Sequence, residues 1–391
     1  MISVEEALAR LFALVEPTGA ETVPLRAAAG RVLARPAIAR RTQPPFAASA
    51  MDGYALRPQD LRPGAVLRVI GEAAAGGGHD RPVQPGEAVR IFTGAPVPAS
   101  AGHVVIQEDV LREGDRITIG DRPGAGSNIR PAGGDFTEGM QMLPAGRRLG
   151  PAEIALLAAM NLPAADVARK PRVALICTGD ELVMPGETPG PSQIVASNAF
   201  GLIAMIEAAG GIAHLLPIAR DSEDSLGQCL DLAAGADLVV TCGGASVGDH
   251  DIVASVAQAR GLSLDFHKVA MRPGKPLMAG RMGRAAMLGL PGNPVSALVC
   301  GRIFLLPMLE AMLGLPARAV PRRRSPLARP LPANGPREHY MRAAMGPAGL
   351  APLASQDSSL LSVLAAADAL LVRPPGDPAR QPGEEVEYIP L

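Results

Sequence analysis

The sequence predicts a multidomain α/β protein: a central α/β domain on a parallel sheet, with a helical N-terminal domain, a β-rich insertion and a small C-terminal β domain. Three observations predict it. From Arg172 onward, short apolar runs alternate with helical patterns, as strands joined by crossover helices do. Between Asp52 and Ile119, by contrast, short β-like runs are separated by Gly/Pro clusters. Beyond Pro316 the composition shifts again: Pro321-Arg322-Arg323-Arg324 reads as a solvated linker ahead of mostly β-like segments.

Taken in order, Ser3-Val4-Glu5-Glu6 has the form of a capping box. Val4, Ala7, Leu8, Leu11, Leu14 and Val15 follow at helical spacing, so an amphipathic helix opens the chain. β-like runs fall at 66–70, 88–92, 103–107 and 116–119. A helix follows at 151–160, with Pro151 at its start and Pro163 past its end. In the α/β region the strands are 173–177, 212–218, 238–242 and 285–290. Asn198 caps a helix that stops at Gly210-Gly211, and Asp221-Ser222 caps the next. A third helix follows Asp251 and stops near Gly261, and a fourth follows Pro294. The last domain holds one helical candidate, at 358–369.

At 391 residues, 48% hydrophobic and 19% charged, the chain can bury several cores. A net charge of −1 gives no bulk basic field to attract nucleic acid or an anionic membrane. Trp is absent and aromatics make up 3%, which argues against a base-stacking surface. Apolar stretches such as 154–159 are too short to span a bilayer. Residues 294–314 are longer but include Arg302 and Glu310, and read as a buried amphipathic helix. The first ten residues, with Glu5 and Glu6, have no signal-peptide core. Cys177, Cys229, Cys242 and Cys300 are widely spaced in apolar contexts, as reduced, buried thiols of a cytoplasmic protein are. The histidines show no metal-binding spacing, and neither a Gly-x-Ser-x-Gly elbow nor a Walker loop is present.

In open α/β sheets ligands bind outside the carboxyl ends of the strands. Here Thr178-Gly179-Asp180-Glu181, Asp221, the loop 243–248 with Asp249-His250-Asp251, and Pro291-Gly292-Asn293-Pro294-Val295-Ser296 each follow a strand. Any one of them is ordinary turn chemistry; four on one sheet edge point to a site. Gly-rich turns bare backbone N–H groups that cradle anions. Oxygen-only carboxylate sites suit Mg²⁺, so Glu181 and Asp251 read as its ligands beside a phosphate-bearing substrate, although Asp251 reads equally well as an N-cap. Lys268, Arg272 and Lys275 put three cations on a Pro/Gly-stiffened stretch that can hold an oxyanion or be a solvated loop.

Further motifs narrow this. Pro45-Phe46 and Ser49-Ala50-Met51-Asp52-Gly53-Tyr54-Ala55 closely resemble the hallmark of the MoeA / gephyrin E-domain family. Thr178-Gly179-Asp180-Glu181-Leu182, Gly243-Gly244-Ala245-Ser246-Val247-Gly248, Arg272-Pro273-Gly274-Lys275-Pro276 and Leu290-Pro291-Gly292-Asn293-Pro294-Val295-Ser296 follow in the family's order. The resemblance covers essentially the whole chain. It implies an elongated homodimer of four-domain subunits. Residues 1–41 with 139–170 form a dimerising N-terminal domain, 42–138 the inserted β domain, 171–320 the molybdopterin-binding α/β domain, and 321–391 the C-terminal β domain.

The resemblance implies a molybdopterin molybdenumtransferase. Such an enzyme takes adenylylated molybdopterin and molybdate, releases AMP with the help of Mg²⁺, and leaves molybdenum on the dithiolene sulfurs. The upstream molybdopterin adenylyltransferase is a possible partner. The catalytic set it implies is Asp52, Asp135, Asp221, Lys268, Arg272 and Lys275. Glu181 and Asp251 hold the metal. Thr178, Gly179, Gly243, Gly244, Ser246, Gly248, Pro291, Gly292, Pro294 and Ser296 line the substrate pocket. Arg337, Arg342 and Ser358 match the family loosely, near molybdate. At 272 the family usually has Lys, and Arg replaces a compact ammonium by a planar fork. An adenylyltransferase would need only the α/β domain and would typically carry Gly-Gly-Thr-Gly. A pure scaffold would have no need of the acidic and basic set.

Overall fold

The structure is a computed structural model describing residues 1–244 and 252–391. Ser246, Gly248 and Asp251 lie outside the described residues.

At the centre is a six-stranded sheet in the order Ile212–Leu215, Arg172–Cys177, Leu238–Cys242, Ala285–Leu290, Pro276–Met282, Leu262–Lys268. The first four strands are parallel, as expected. The last two are antiparallel additions, so the sheet is mixed rather than parallel throughout. The alternation of Arg172–Cys177 divides two cores, because successive side chains of a strand point to opposite faces. Val173, Leu175 and Cys177 pack under the helices Ser197–Ala209 and Pro294–Cys300. Ala174 and Ile176 pack under Glu223–Leu232 and Ile252–Ala259. The helical run Pro294–Met312 is apolar enough to cross a membrane, with mean hydropathy 1.7, but 72% of its most apolar window is buried. It is a core helix here.

The helical N-terminal domain is not what forms. The opening helix Val4–Leu14 does form, with Ser3 Oγ accepting from the Glu6 N–H. Its apolar face, Val4, Ala7, Leu8 and Leu11, joins the core of the α/β domain. Ile2 extends this docking: its N–H donates to the Lys268 carbonyl and its carbonyl accepts from Ala270. Amphipathicity was enough to predict the helix but not the surface that covers it. What remains of the N-terminal region is mainly strand and turn: Ala20–Pro24 pairs with Ala164–Ala168, and Ala37–Ile38 with Gln141–Leu143. One helix, Pro151–Ala159, packs over Leu33, Phe136, Leu149 and Met160.

The inserted region holds a six-stranded sheet, in the order His103–Ile106, Gly53–Leu56, Glu87–Ile91, Val66–Ala73, Arg116–Ile119, Val110–Glu113. The C-terminal sheet is built on Glu338–Gly346, Ala369–Arg373, Glu385–Pro390 and Arg323–Pro326. Its outer strand, Met271–Arg272, comes from the α/β region and pairs parallel with Glu338 and His339. The cationic stretch is therefore stitched to the last domain instead of forming a free loop.

Candidate active site

The four carboxyl-end clusters meet in one cleft of about 1110 Å³. Thr178, Gly179 and Glu181 line it from the first strand, Asp221 from the second, Gly243 and Gly244 from the third, and Pro291, Gly292 and Pro294 from the fourth. Backbone bonds set the rim: Thr178 N–H donates to the Cys242 carbonyl, Gly179 N–H to Ala219, and Gly243 N–H to Leu290.

Glycine is required in this rim. Gly243 has φ +105°, and a Cβ there would lie 2.5 Å from the Thr178 carbonyl oxygen and 2.8 Å from its Oγ1. A Cβ on Gly179 would lie 2.3 Å from Glu181 Oε2, so the Glu181 carboxylate folds back over a residue with no side chain. Gly243→Ala is accordingly expected to lower stability by about 2–4 kcal/mol, from left-handed backbone strain plus a backbone clash. Denaturant unfolding would reveal it; an unchanged midpoint would mean that the rim yields freely.

Three residues that hold the cleft together were not singled out by sequence reasoning for this role. Asn198 lies within its helix instead of capping it. Its Nδ2 donates to the Gly292 carbonyl at 2.7 Å and to Cys242 Sγ at 3.3 Å, tying two rim loops together. Arg220 Nη1 points at the carbonyls of Gly179, Asp180 and Leu182 at 3.3, 3.0 and 3.1 Å, which fixes the loop bearing Glu181. Asp180 Oδ1 accepts from the Asp221 N–H at 3.1 Å. Local sequence offers no signal for these, since an Asn or Arg beside a helix start serves equally as cap or surface charge. Ser359 reaches the cleft from the C-terminal domain.

Other predicted residues lie elsewhere. Ser296 is buried in the helix Pro294–Cys300 and does not line the cleft. Lys268, Arg272 and Lys275 are exposed and off its walls, although Pro276 lies on them. Asp135 is exposed in the region after the inserted sheet. Asp52 lies at the inserted sheet, where its Oδ1 accepts from the N–H and O–H of Thr93, both at 2.8 Å. Those two bonds hold its carboxyl below the usual carboxylate range. Neither Asp52 nor Asp135 lines the cleft of its own chain.

Cys177 and Cys242 form part of the cleft floor. Burial pushes their thiols up to about 11 and about 12, so both stay protonated at neutral pH and are poor nucleophiles. Among the described residues no group of three or more His, Cys, Asp or Glu could cage a metal ion. Mg²⁺ needs no such cage: one or two carboxylates plus substrate phosphates suffice, and Glu181 on the cleft wall fits that pattern.

At the C-terminal end, Arg342 is fully buried, and its Nε and Nη1 have no hydrogen-bond partner among the described residues. Its Nη2 donates to the Asp357 carbonyl at 3.1 Å. Burial and the neighbouring Arg272 both work against its charge. Burial and Arg272, Arg342, Arg373 and Arg337 push the His339 imidazole down to about 4, so it is neutral at neutral pH. The chemistry on offer is a Gly-rich cleft with the carboxylates of Glu181 and Asp221 on its wall, and, off its walls, a cationic cluster of Arg342 and Arg272.

Comparison with known proteins agrees with this arrangement. Residues 2–161 match the MoeA N-terminal region (domain I and II), 174–311 a probable molybdopterin binding domain, and 324–391 the MoeA C-terminal region (domain IV). A molybdopterin molybdenumtransferase of a Nostoc species is 40% identical over 304 residues, 75% of this chain and 70% of that protein. The chain belongs to the MoeA family. The Bacillus subtilis molybdopterin molybdenumtransferase is 30% identical to this MoeA-family chain over 99% of its length and 94% of its own. A crystal structure of the molybdopterin biosynthesis moeA protein from Pyrococcus horikoshii superposes over the whole of both chains, with TM-score 0.87 and 29% identity.

Proposed function

We propose that this chain is a molybdopterin molybdenumtransferase: it takes adenylylated molybdopterin, transfers molybdenum from molybdate to the dithiolene, and releases AMP. The observation that carries this reading is the convergence of four strand-end loops on one cleft within the molybdopterin-binding region.

In this reading the nucleotide phosphates lie against the glycine-rich rim at Gly243-Gly244 and Pro291-Gly292, where the absence of side chains lets them approach the backbone. Glu181 and Asp251 would hold Mg²⁺, which when bound neutralises phosphate charge. Arg220 and Asn198 keep the rim in register, so the substrate meets a preorganised surface. Arg272 and the buried Arg342 near it, with Lys268 and Lys275 on the same stretch as Arg272, supply the cations that attract molybdate. Asp221 positions water or a substrate hydroxyl from the cleft wall. Asp52 and Asp135 do so from a partner subunit, because their own chain places them away from its cleft. This requires a homodimer. The fold needs no nucleophilic side chain, since the sulfurs that take the metal belong to the substrate. A cytoplasmic setting, with substrate handed over by the upstream adenylyltransferase, follows from the same reading.

Two parallel incubations separate this from adenylyltransferase chemistry. With adenylylated molybdopterin and molybdate the chain is expected to release AMP; with molybdopterin and ATP it is expected to release no pyrophosphate. Pyrophosphate from the second mixture would reverse the assignment.

A further inference from the structure

Arg342 is not just a cation near the cleft; its surroundings tune how strongly it holds an anion. The guanidinium is fully buried, with two of its three nitrogens unpartnered among the described residues. Leaving a buried charge unpaired is strongly unfavourable unless a ligand completes it. Its backbone is fixed on both sides by Gln356, whose Oε1 accepts from the Arg342 N–H and whose Nε2 donates to the Arg342 carbonyl, each at 2.9 Å. The guanidinium itself is held by its burial and by the Nη2 bond to the Asp357 carbonyl at 3.1 Å. Among the described residues, the carboxylate whose charge favours the Arg342 cation is that of Asp357.

That carboxylate does not close onto the guanidinium. Asp357 Oδ1 accepts from Ser359 N–H and Ser359 O–H, both at 2.8 Å. The turn is anchored further by the Ser358 carbonyl, which accepts from Val295 N–H at 3.0 Å, and Ser359 lies on the cleft wall. Asp357 is thus a fixed negative charge held beside a fixed, open cation. It offsets part of the Arg342 charge without occupying its donors. An incoming oxyanion is attracted by Arg342 and Arg272 and repelled by Asp357. Coulomb energy scales with ligand charge, so the repulsion acts twice as strongly on a dianion as on a monoanion.

We propose that Asp357 is a specificity-determining residue of the cationic cluster around Arg342, next to the cleft wall at Ser359: it weakens the hold on a divalent tetrahedral oxyanion enough for the ion to leave for the substrate sulfurs. The proposal rests on the functional reading above, in which molybdate binds at that cluster.

The test is equilibrium titration of the full-length protein, without nucleotide, at neutral pH and fixed ionic strength. Two tetrahedral probes are used, molybdate as the dianion and perrhenate as the monoanion. Asp357→Asn keeps an oxygen to accept both Ser359 bonds and deletes only the charge. It is expected to tighten molybdate about tenfold and perrhenate about threefold, the logarithmic ratio of two that Coulomb's law demands. Equal changes for both probes, or no change, would reduce Asp357 to a turn former and overturn the proposal. Arg272→Ala, an exposed position, and Arg342→Lys, checked for folding by thermal melting, are expected to weaken molybdate in both backgrounds. If neither does so, molybdate binds elsewhere, and the functional placement falls together with the proposal. If they do while Asp357→Asn shows no charge-dependent gain, the placement stands and the Asp357 proposal alone falls.

Discussion

Asp52→Ala and Asp221→Ala are each expected to lose roughly a hundredfold or more in AMP release, and a mixture of the two to regain about half of wild-type activity per heterodimer. Asp221 lies on the cleft wall, and Asp52 lies at another sheet with its carboxylate pre-set by Thr93. This positioned carboxylate follows exposed Met51 in the chain, a setting that suits contact with another surface. In the closed two-fold dimer proposed above, each site would take parts from both chains. Mixing then yields heterodimers in which one site carries both lesions and the other carries neither. Subunit exchange of the purified variants, followed by an AMP assay, checks this. No recovery despite verified heterodimers would return Asp52 to its own subunit or give it a purely structural role.

Glu181→Gln is expected to raise the Mg²⁺ concentration needed for half-maximal AMP release by at least roughly tenfold to a hundredfold, the range seen when even outer-shell partners are lost. The carboxylate is exposed on a loop held by Arg220 through backbone carbonyls, so the substitution leaves the anchoring bonds in place. Unfolding should be unaffected. A wild-type Mg²⁺ titration curve would remove Glu181 from the metal assignment.

How far the sequence could be read depended on whether local pattern or distant contact decides an element. The strands Leu238–Cys242 and Ala285–Leu290 are buried apolar runs with turn signals at their ends, and were legible to the residue. Leu262–Lys268 and Pro276–Met282 were not. The second opens on Pro and contains Gly280, where a Cβ would lie 2.3 Å from the Ser263 carbonyl oxygen, so the glycine that weakens the strand signal is what lets the two strands approach. The intervening charges at Lys268, Arg272 and Lys275 made this stretch look like an anion loop. The docking of the opening helix on the α/β core depends on residues some 160 to 300 positions away, such as Val173 and Met308. In the site, the rim followed from the rule that ligands gather at strand carboxyl ends. Asn198 and Arg220 did not, because each acts through bonds to segments that the fold makes adjacent; nor did Asp357, whose own bonds are local and which acts through its charge on Arg342.

Coupling between loss of AMP and arrival of molybdate is read from the rate of AMP release from adenylylated molybdopterin as molybdate is varied from zero to saturation, with Mg²⁺ present. The expected result is a rate near background without molybdate that rises to a plateau. A rate that is the same with and without molybdate would make the chain a plain nucleotide hydrolase and contradict the transferase assignment.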